Sequence, residues 1–141
     1  MTPLLDVNVL VALAWPPHVH HAAARAWFRH IAPTGWATSA LTESGFIRVS
    51  SNVTVIPDAR SPHEAATLLR ALCQVGRHEY WGDDVRMVDA LDGVHGYRQV
   101  TDAHLLQLAA QHAGAVATFD SGLIALAQRR SQEAQLIPLL V

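Results

Sequence analysis

Short apolar blocks, each closed by a residue with capping chemistry, alternate along the chain with longer stretches of helical spacing. The clearest example is VTDAHLLQLAAQHAGAVATFD, residues 100–120. Leu105, Leu106, Ala109 and Ala113 recur there at helical spacing, with Thr101 and Asp102 offering side-chain oxygens at the helix start. Gly114 is expected to take the left-handed conformation that ends the helix. Ala115 to Phe119 is apolar enough for a central parallel strand, and Asp120 follows at its carboxyl end. Two carboxylates thereby stand at element ends, which is where open α/β sheets build ligand sites.

The same alternation runs through the rest of the chain. Pro3 to Leu5 reads as a short buried strand ending at Asp6, and the apolar run from Val7 to Trp15 stops at Pro16-Pro17. His18 to Ala32 has helical spacing, with Trp27, Phe28 and Ile31 on one side. Gly35 to Thr38 reads as a strand and Ser39 to Ser51 as a helix. Ser61-Pro62-His63-Glu64 is a strong helix start, since serine caps, proline suits the first turn and glutamate completes a capping box. That helix is expected to end near Gly76, with an edge strand over Glu79–Gly82 and a helix from Asp83-Asp84 to about Leu91. Ser121 to Arg130 reads as a helix, and 135–140 as a last strand that Pro138 assigns to a sheet edge. The order predicts one α/β domain over residues 1–141, a central and mostly parallel sheet of short strands flanked by helices.

Composition narrows the chemistry. All ten basic residues are arginine, so every reaction that needs a lysine amine is excluded. A net charge of −2 gives no global attraction to nucleic acid, and an anionic substrate must be held by local arginines or metal ions. The single cysteine, Cys73, forms no intrachain disulfide, and the first segment lacks a basic leader and a small-residue cleavage site. No run has the length of a membrane span, so no membrane partner is expected, and the lone cysteine, which gives no zinc-thiolate pattern, fits a cytoplasmic protein.

Three aspartates then fall at strand ends or a helix start: Asp6, Asp102 and Asp120. Each alone is an ordinary cap. Glu43 is different, because it belongs to neither capping box and lies beside Phe46 and Ile47 on an apolar face. A cation would relieve that conflict. Carboxylates brought together without metal repel one another, whereas Mg²⁺ or Mn²⁺ accepts them as hard oxygen ligands. Two such ions suit phosphodiester hydrolysis. His18 and His21 lie at i, i+3 without a completing carboxylate and read as a solvated helix start rather than a metal site.

LLDVNVLVAL, ATSALTESGFIRV and VTDAHLLQLAAQHAGAVATFD, in that order, resemble PIN-domain ribonucleases, and more closely the VapC toxins of bacterial toxin–antitoxin pairs. The resemblance implies a Mg²⁺- or Mn²⁺-dependent endoribonuclease with Asp6, Glu43, Asp102 and Asp120 as metal ligands and catalytic acids. Asn8 and Thr118 occupy family positions beside the site. The resemblance further implies an RNA substrate, an antitoxin protein as partner, and a homodimer. Trp15 or Trp27 is a candidate for the dimer interface, against the alternative that both lie in the monomer core. Trp81-Gly82-Asp83-Asp84 and Arg98-Gln99 also look family-like.

Rival readings fail on particular residues. Asp6-Val7-Asn8-Val9 is superficially similar to the nucleophile motif of haloacid-dehalogenase-like phosphatases, but Asn8 replaces the second aspartate and the required lysine is absent. The missing lysine also argues against a receiver domain. A catalytically weak PIN-like RNA-binding module would be favoured by an incomplete acidic set.

Overall fold

A computed structural model describes residues 1–139. Its five strands are β1 (Pro3–Leu5), β2 (Trp36–Ser39), β3 (His78–Trp81), β4 (Ala115–Thr118) and β5 (Leu136–Pro138). They form one sheet in the order β3-β2-β1-β4-β5, with every pairing parallel. Six helices connect and cover it: α1 (Val7–Ala14), α2 (His21–Ile31), α3 (Ala40–Ser50), α4 (Pro62–Leu72), α5 (Val100–Gln111) and α6 (Ser121–Arg129). The α/β architecture is the one the alternating pattern predicts. The edge positions of β3 and β5 also agree, although residue 140 of the expected last strand lies outside the described residues.

Strand periodicity divides the core. Leu5 and Trp36 face a cluster built with α1, α2 and residues such as Phe46 and Leu69, whereas Leu4, Ala37 and Val116 face Leu105, Leu106, Leu123 and Leu126 of α5 and α6. Both faces of the sheet are covered, so the central strands are buried without alternation. The chain order reverses around β1, with β2 on one side and β4 on the other. A crevice at the carboxyl ends of the strands follows from that reversal.

Four expectations are corrected. No α-helix spans Asp83 to Leu91; only a 3-10 turn at Met87–Asp89 forms there. The Asp83 carboxylate accepts the Val85 amide at 3.0 Å, a local bond that competes with helix, and Val88 and Leu91 are exposed although Ala90 is buried and Val85 packs on the core. Helix α5 starts at Val100 with Gln99 as a cap without a side-chain bond, so neither Thr101 nor Asp102 caps it. At its far end Ala113, not Gly114, is left-handed, with φ 52°. The Gly114 amide reaches Ala109 O at 2.8 Å and the Ala113 amide reaches Ala110 O at 3.2 Å, which together form a Schellman motif. Gly114 answers a different need: a Cβ there would lie 2.5 Å from the Trp81 ring and 2.6 Å from Thr2 O.

Helix α2 is also shorter than its apolar pattern, beginning at His21. His18 and His20 belong to the preceding turn, where His18 Nδ1 accepts the His20 amide at 3.0 Å. Trp15 lies within the monomer core and donates its indole N–H to Ser50 Oγ at 3.0 Å. Trp27 is partly buried against the same cluster.

Candidate active site

Strand β1 ends at Leu5, and Asp6 immediately caps α1, with Oδ1 accepting the Val7 amide at 2.8 Å. Its second oxygen accepts the Thr118 hydroxyl at 2.6 Å. Thr118 is buried at the end of the neighbouring β4, and its oxygen also accepts the Asp120 amide at 2.9 Å. Asn8 completes the junction, with Nδ2 donating to Thr118 at 3.4 Å and Oδ1 accepting the Phe119 amide at 3.3 Å. Asp120 caps α6 through the Gly122 amide at 2.8 Å. Capping therefore fixes both aspartates without excluding them from a site.

Asp102 arrives from the first turn of α5. Asp6, Asp102 and Asp120 line one cleft of about 640 Å³ together with Asn8. Trp15, Val49 and Ile56 form apolar wall, and His18 and Asp58 lie on the same lining. Burial raises the Asp6 pKa above the usual carboxylate range, opposed by the Thr118 and Val7 hydrogen bonds and reinforced by Asp120. Asp102 is pushed up to about 6 by burial, then by the negative charges of Asp120 and Asp6. Every influence on Asp102 acts in the same direction. Each of these influences penalises the negative charge of the cleft, a penalty that a proton or a bound cation relieves.

Glu43 is held elsewhere. It does not line the cleft; its Oε2 accepts the Thr38 hydroxyl at 2.7 Å on the sheet face between α3 and α4. Thr38 also meets His78 Nε2 at 2.8 Å, and Cys73 Sγ lies 3.6 Å from that nitrogen. Burial raises the Cys73 pKa to about 11, with Glu43 adding to it. The geometry thus brings together Asp6, Asp102, Asp120, Asn8 and Thr118, and sets Glu43 with Cys73 and His78 instead. Asp83 and Asp84 lie outside the cleft; Asp83 pairs with His104.

Neither spacing nor capping pattern announces His18 or Asp58 on the cleft. His18 follows the Pro16-Pro17 break directly, so the turn that stops α1 brings it onto the same lining as Asp6 and Val7. Burial lowers its pKa, with His20 and His21 acting the same way. His20 stacks on Phe119 at 4.4 Å, which ties this turn to the end of β4.

The PIN domain model matches residues 4–129. Ribonuclease VapC38 of Mycobacterium tuberculosis is 53% identical over 128 residues, covering 90% of this chain and 91% of the relative. Ribonuclease VapC39 of the same species is 46% identical over 127 residues, covering 87% of this chain and 91% of the relative. Ribonuclease VapC29, also from that species, is 42% identical over 124 residues, covering 87% and 89%. A match over almost the whole sheet, in the order that builds the aspartate cleft, settles the kinship: the chain belongs to the PIN-domain family and groups with its VapC-type members.

Proposed function

We propose that this chain is a Mg²⁺- or Mn²⁺-dependent endoribonuclease and the toxin of a toxin–antitoxin pair. The observation that carries the reading is the convergence of Asp6, Asp102 and Asp120 at the carboxyl ends of β1 and β4. The names of its VapC relatives agree with RNA cleavage. An all-oxygen carboxylate set whose Asp102 pKa stands at about 6 fits a hard divalent ion. Bound there, Mg²⁺ or Mn²⁺ supplies the positive charge that admits a phosphodiester and lowers the pKa of an attacking water.

The chain's own residues do the positioning. The Thr118 hydroxyl holds one Asp6 oxygen and Asn8 braces Thr118, so the Asp6 carboxylate cannot swing toward solvent. Helix α6 fixes Asp120 by its cap, and α5 presents Asp102 across the cleft. The apolar wall of Trp15 and Ile56 excludes water from one side. Glu43 is assigned to the same acidic set on the family resemblance and on its place beside Phe46 and Ile47 on an apolar helix face, and its bond to Thr38 marks it as the residue to test separately.

The test is cleavage of total RNA with Mg²⁺, with Mn²⁺ and with excess EDTA. Cutting that needs the metal and leaves 5′-phosphate and 3′-hydroxyl ends is expected, and Asp6→Asn, Asp102→Asn and Asp120→Asn each abolish it. Undiminished cutting in EDTA, or 2′,3′-cyclic phosphate ends, would overturn the metal reading. Expression alone is expected to arrest growth in the cytoplasm, and coexpression with a cognate antitoxin to relieve it. The rival reading, a weak RNA-binding module, draws on one observation, the absence of Glu43 from the cleft lining. RNA bound in Mg²⁺ without any cleavage would favour that rival.

A further inference from the structure

We propose that His18 is a substrate-binding residue of the aspartate cleft, its Nε2–H donating to a phosphate oxygen of single-stranded RNA. The assignment rests on the reading of RNA as the ligand of that site. His18 shares one lining with Asp6, Asp102 and Asp120. Three side chains on this lining carry N–H donors, and two of them are engaged inside the protein. The Trp15 indole donates to Ser50 at 3.0 Å, and the Asn8 amide is tied to Thr118 and to the Phe119 backbone. Among the described residues, His18 Nε2 has no hydrogen-bond partner, and no carboxylate of the lining accepts from it.

The turn decides which ring nitrogen carries the proton. Nδ1 accepts the His20 backbone amide at 3.0 Å. An amide N–H can only donate, so Nδ1 is bare and the proton of the neutral ring sits on Nε2. Burial, followed by the charges of His20 and His21, lowers the His18 pKa and so favours that neutral ring. Protonated at Nε2, the imidazole cannot serve as a general base there. It could ligate a metal only by moving that proton to Nδ1 and breaking the bond to His20. Donation of a hydrogen bond is the role that remains.

The donor is held in place before any ligand arrives. The His18 amide reaches Trp15 O and the His21 amide reaches His18 O, both at 3.0 Å. His21 Nδ1 lies 2.7 Å from Ala12 O, and His20 stacks on Phe119 at 4.4 Å. Charge then selects the acceptor. An arginine in this cleft would pair with the aspartates, and none stands on the lining. A neutral imidazole offers its N–H without competing for their charge. Its strongest acceptor on RNA is a phosphate oxygen, because hydrogen bonds to ionised acceptors are the stronger kind. Such a contact positions the strand without reading its bases.

The experiment is fluorescence anisotropy of labelled oligouridylate and oligoadenylate titrated with the full chain in Ca²⁺, beside cleavage of the same RNAs in Mg²⁺. His18→Asn keeps an acceptor for the His20 amide, as in an Asx turn, but falls short of the Nε2 position. It is expected to bind both RNAs about tenfold more weakly and to raise KM by the same factor with kcat little changed. His18→Gln, whose longer amide carries an N–H toward the Nε2 position, is expected to recover most of that loss. Both variants should keep the wild-type melting response to Mn²⁺. Wild-type affinity in His18→Asn would confine His18 to holding the turn. Weakening on only one of the two RNAs would make it a base contact, and a lost Mn²⁺ response would make it a metal ligand. Each of these, or a wild type that binds neither RNA, would overturn the assignment. Binding without cleavage in Mg²⁺ would fail the nuclease reading alone, and the tenfold loss in His18→Asn would still place His18 on the RNA.

Discussion

Thr118 concentrates the residue-scale argument, because one hydroxyl serves three partners at the end of β4. It donates to Asp6 and accepts from the Asp120 amide and from Asn8. Thr118→Val keeps the shape and removes all three bonds, leaving a backbone amide without its partner. A stability loss of about 1–3 kcal/mol is expected in urea unfolding. The looser Asp6 is expected to lower kcat/KM on a fluorogenic RNA by roughly tenfold or more. Stability lost without any change in catalysis would confine Thr118 to a packing role. Asp102 makes a second prediction, and its sign follows from the direction of the shift. Its folded pKa of about 6 lies above the 3.8 of an unperturbed aspartate, so the folded chain binds more protons across that window. Metal-free stability contributed by the neutral acid is therefore present below the unperturbed value and lost as pH rises through about 6. Asp102→Asn, always neutral, is expected to melt higher than wild type above this window in EDTA and equally below it. Partial exposure reduces the difference to about 1 kcal/mol, or roughly 3 °C. Equal melting at both ends would show that Asp102 is solvated.

At the scale of elements, the approach of α1 to α3 sets how the cleft is framed. A Cβ on Gly45 would lie 2.4 Å from Val7 Cγ2, the residue that follows Asp6. Gly45→Ala is expected to cost about 1–3 kcal/mol by overpacking, despite alanine's better helix propensity. Val7→Ala opens the space, so the double variant should recover most of that loss in a double-mutant cycle. Strict additivity would mean that the helices do not press on each other there. The elements themselves were largely legible because both periods in the sequence are strong. The capping box of Ser61 and Glu64, the short strands and the edge position of Pro138 all follow from local chemistry. Asp83-Asp84 misled because capping residues announce a helix only if the apolar residues that follow bury together, and here Ala90 is buried while Val88 and Leu91 are exposed. Gly114 misled in the opposite way. Glycine is required there for the approach of Trp81, while the turn itself forces the left-handed conformation on Ala113. Of the proposed site, the aspartates at strand ends could be read as a group, because topology gathers residues at the carboxyl edge. The neighbours of Glu43 could not, because His78 and Cys73 reach it through the packing of α4 and β3 on the sheet face.

Seen as a whole, the molecule gathers three aspartates at the carboxyl edge of the sheet around β1 and β4, with Glu43 lying beside Cys73 and His78 instead. The net charge of −2 adds no field that draws RNA in, so charge neutralisation at the cleft has to come from what binds there. Assembly would have to use other surfaces than Trp15, which the monomer core already consumes. Metal linkage tests the whole arrangement through global stability. A ligand that binds only the folded chain raises its stability by about 2.7 kcal/mol at a hundred times Kd. Mn²⁺ is expected to raise the melting temperature of wild type in a concentration-dependent way and to have little effect on Asp6→Asn or Asp102→Asn. Cys73→Ser, outside the cleft lining, should keep the full response to Mn²⁺. Glu43→Gln separates the remaining possibilities: an undiminished Mn²⁺ response means that the three aspartates hold the ion alone, and a diminished one means that Glu43 leaves Thr38 to join them. Melting unaffected by Mn²⁺ in wild type would remove the cleft as a metal site, whatever activity the chain retained.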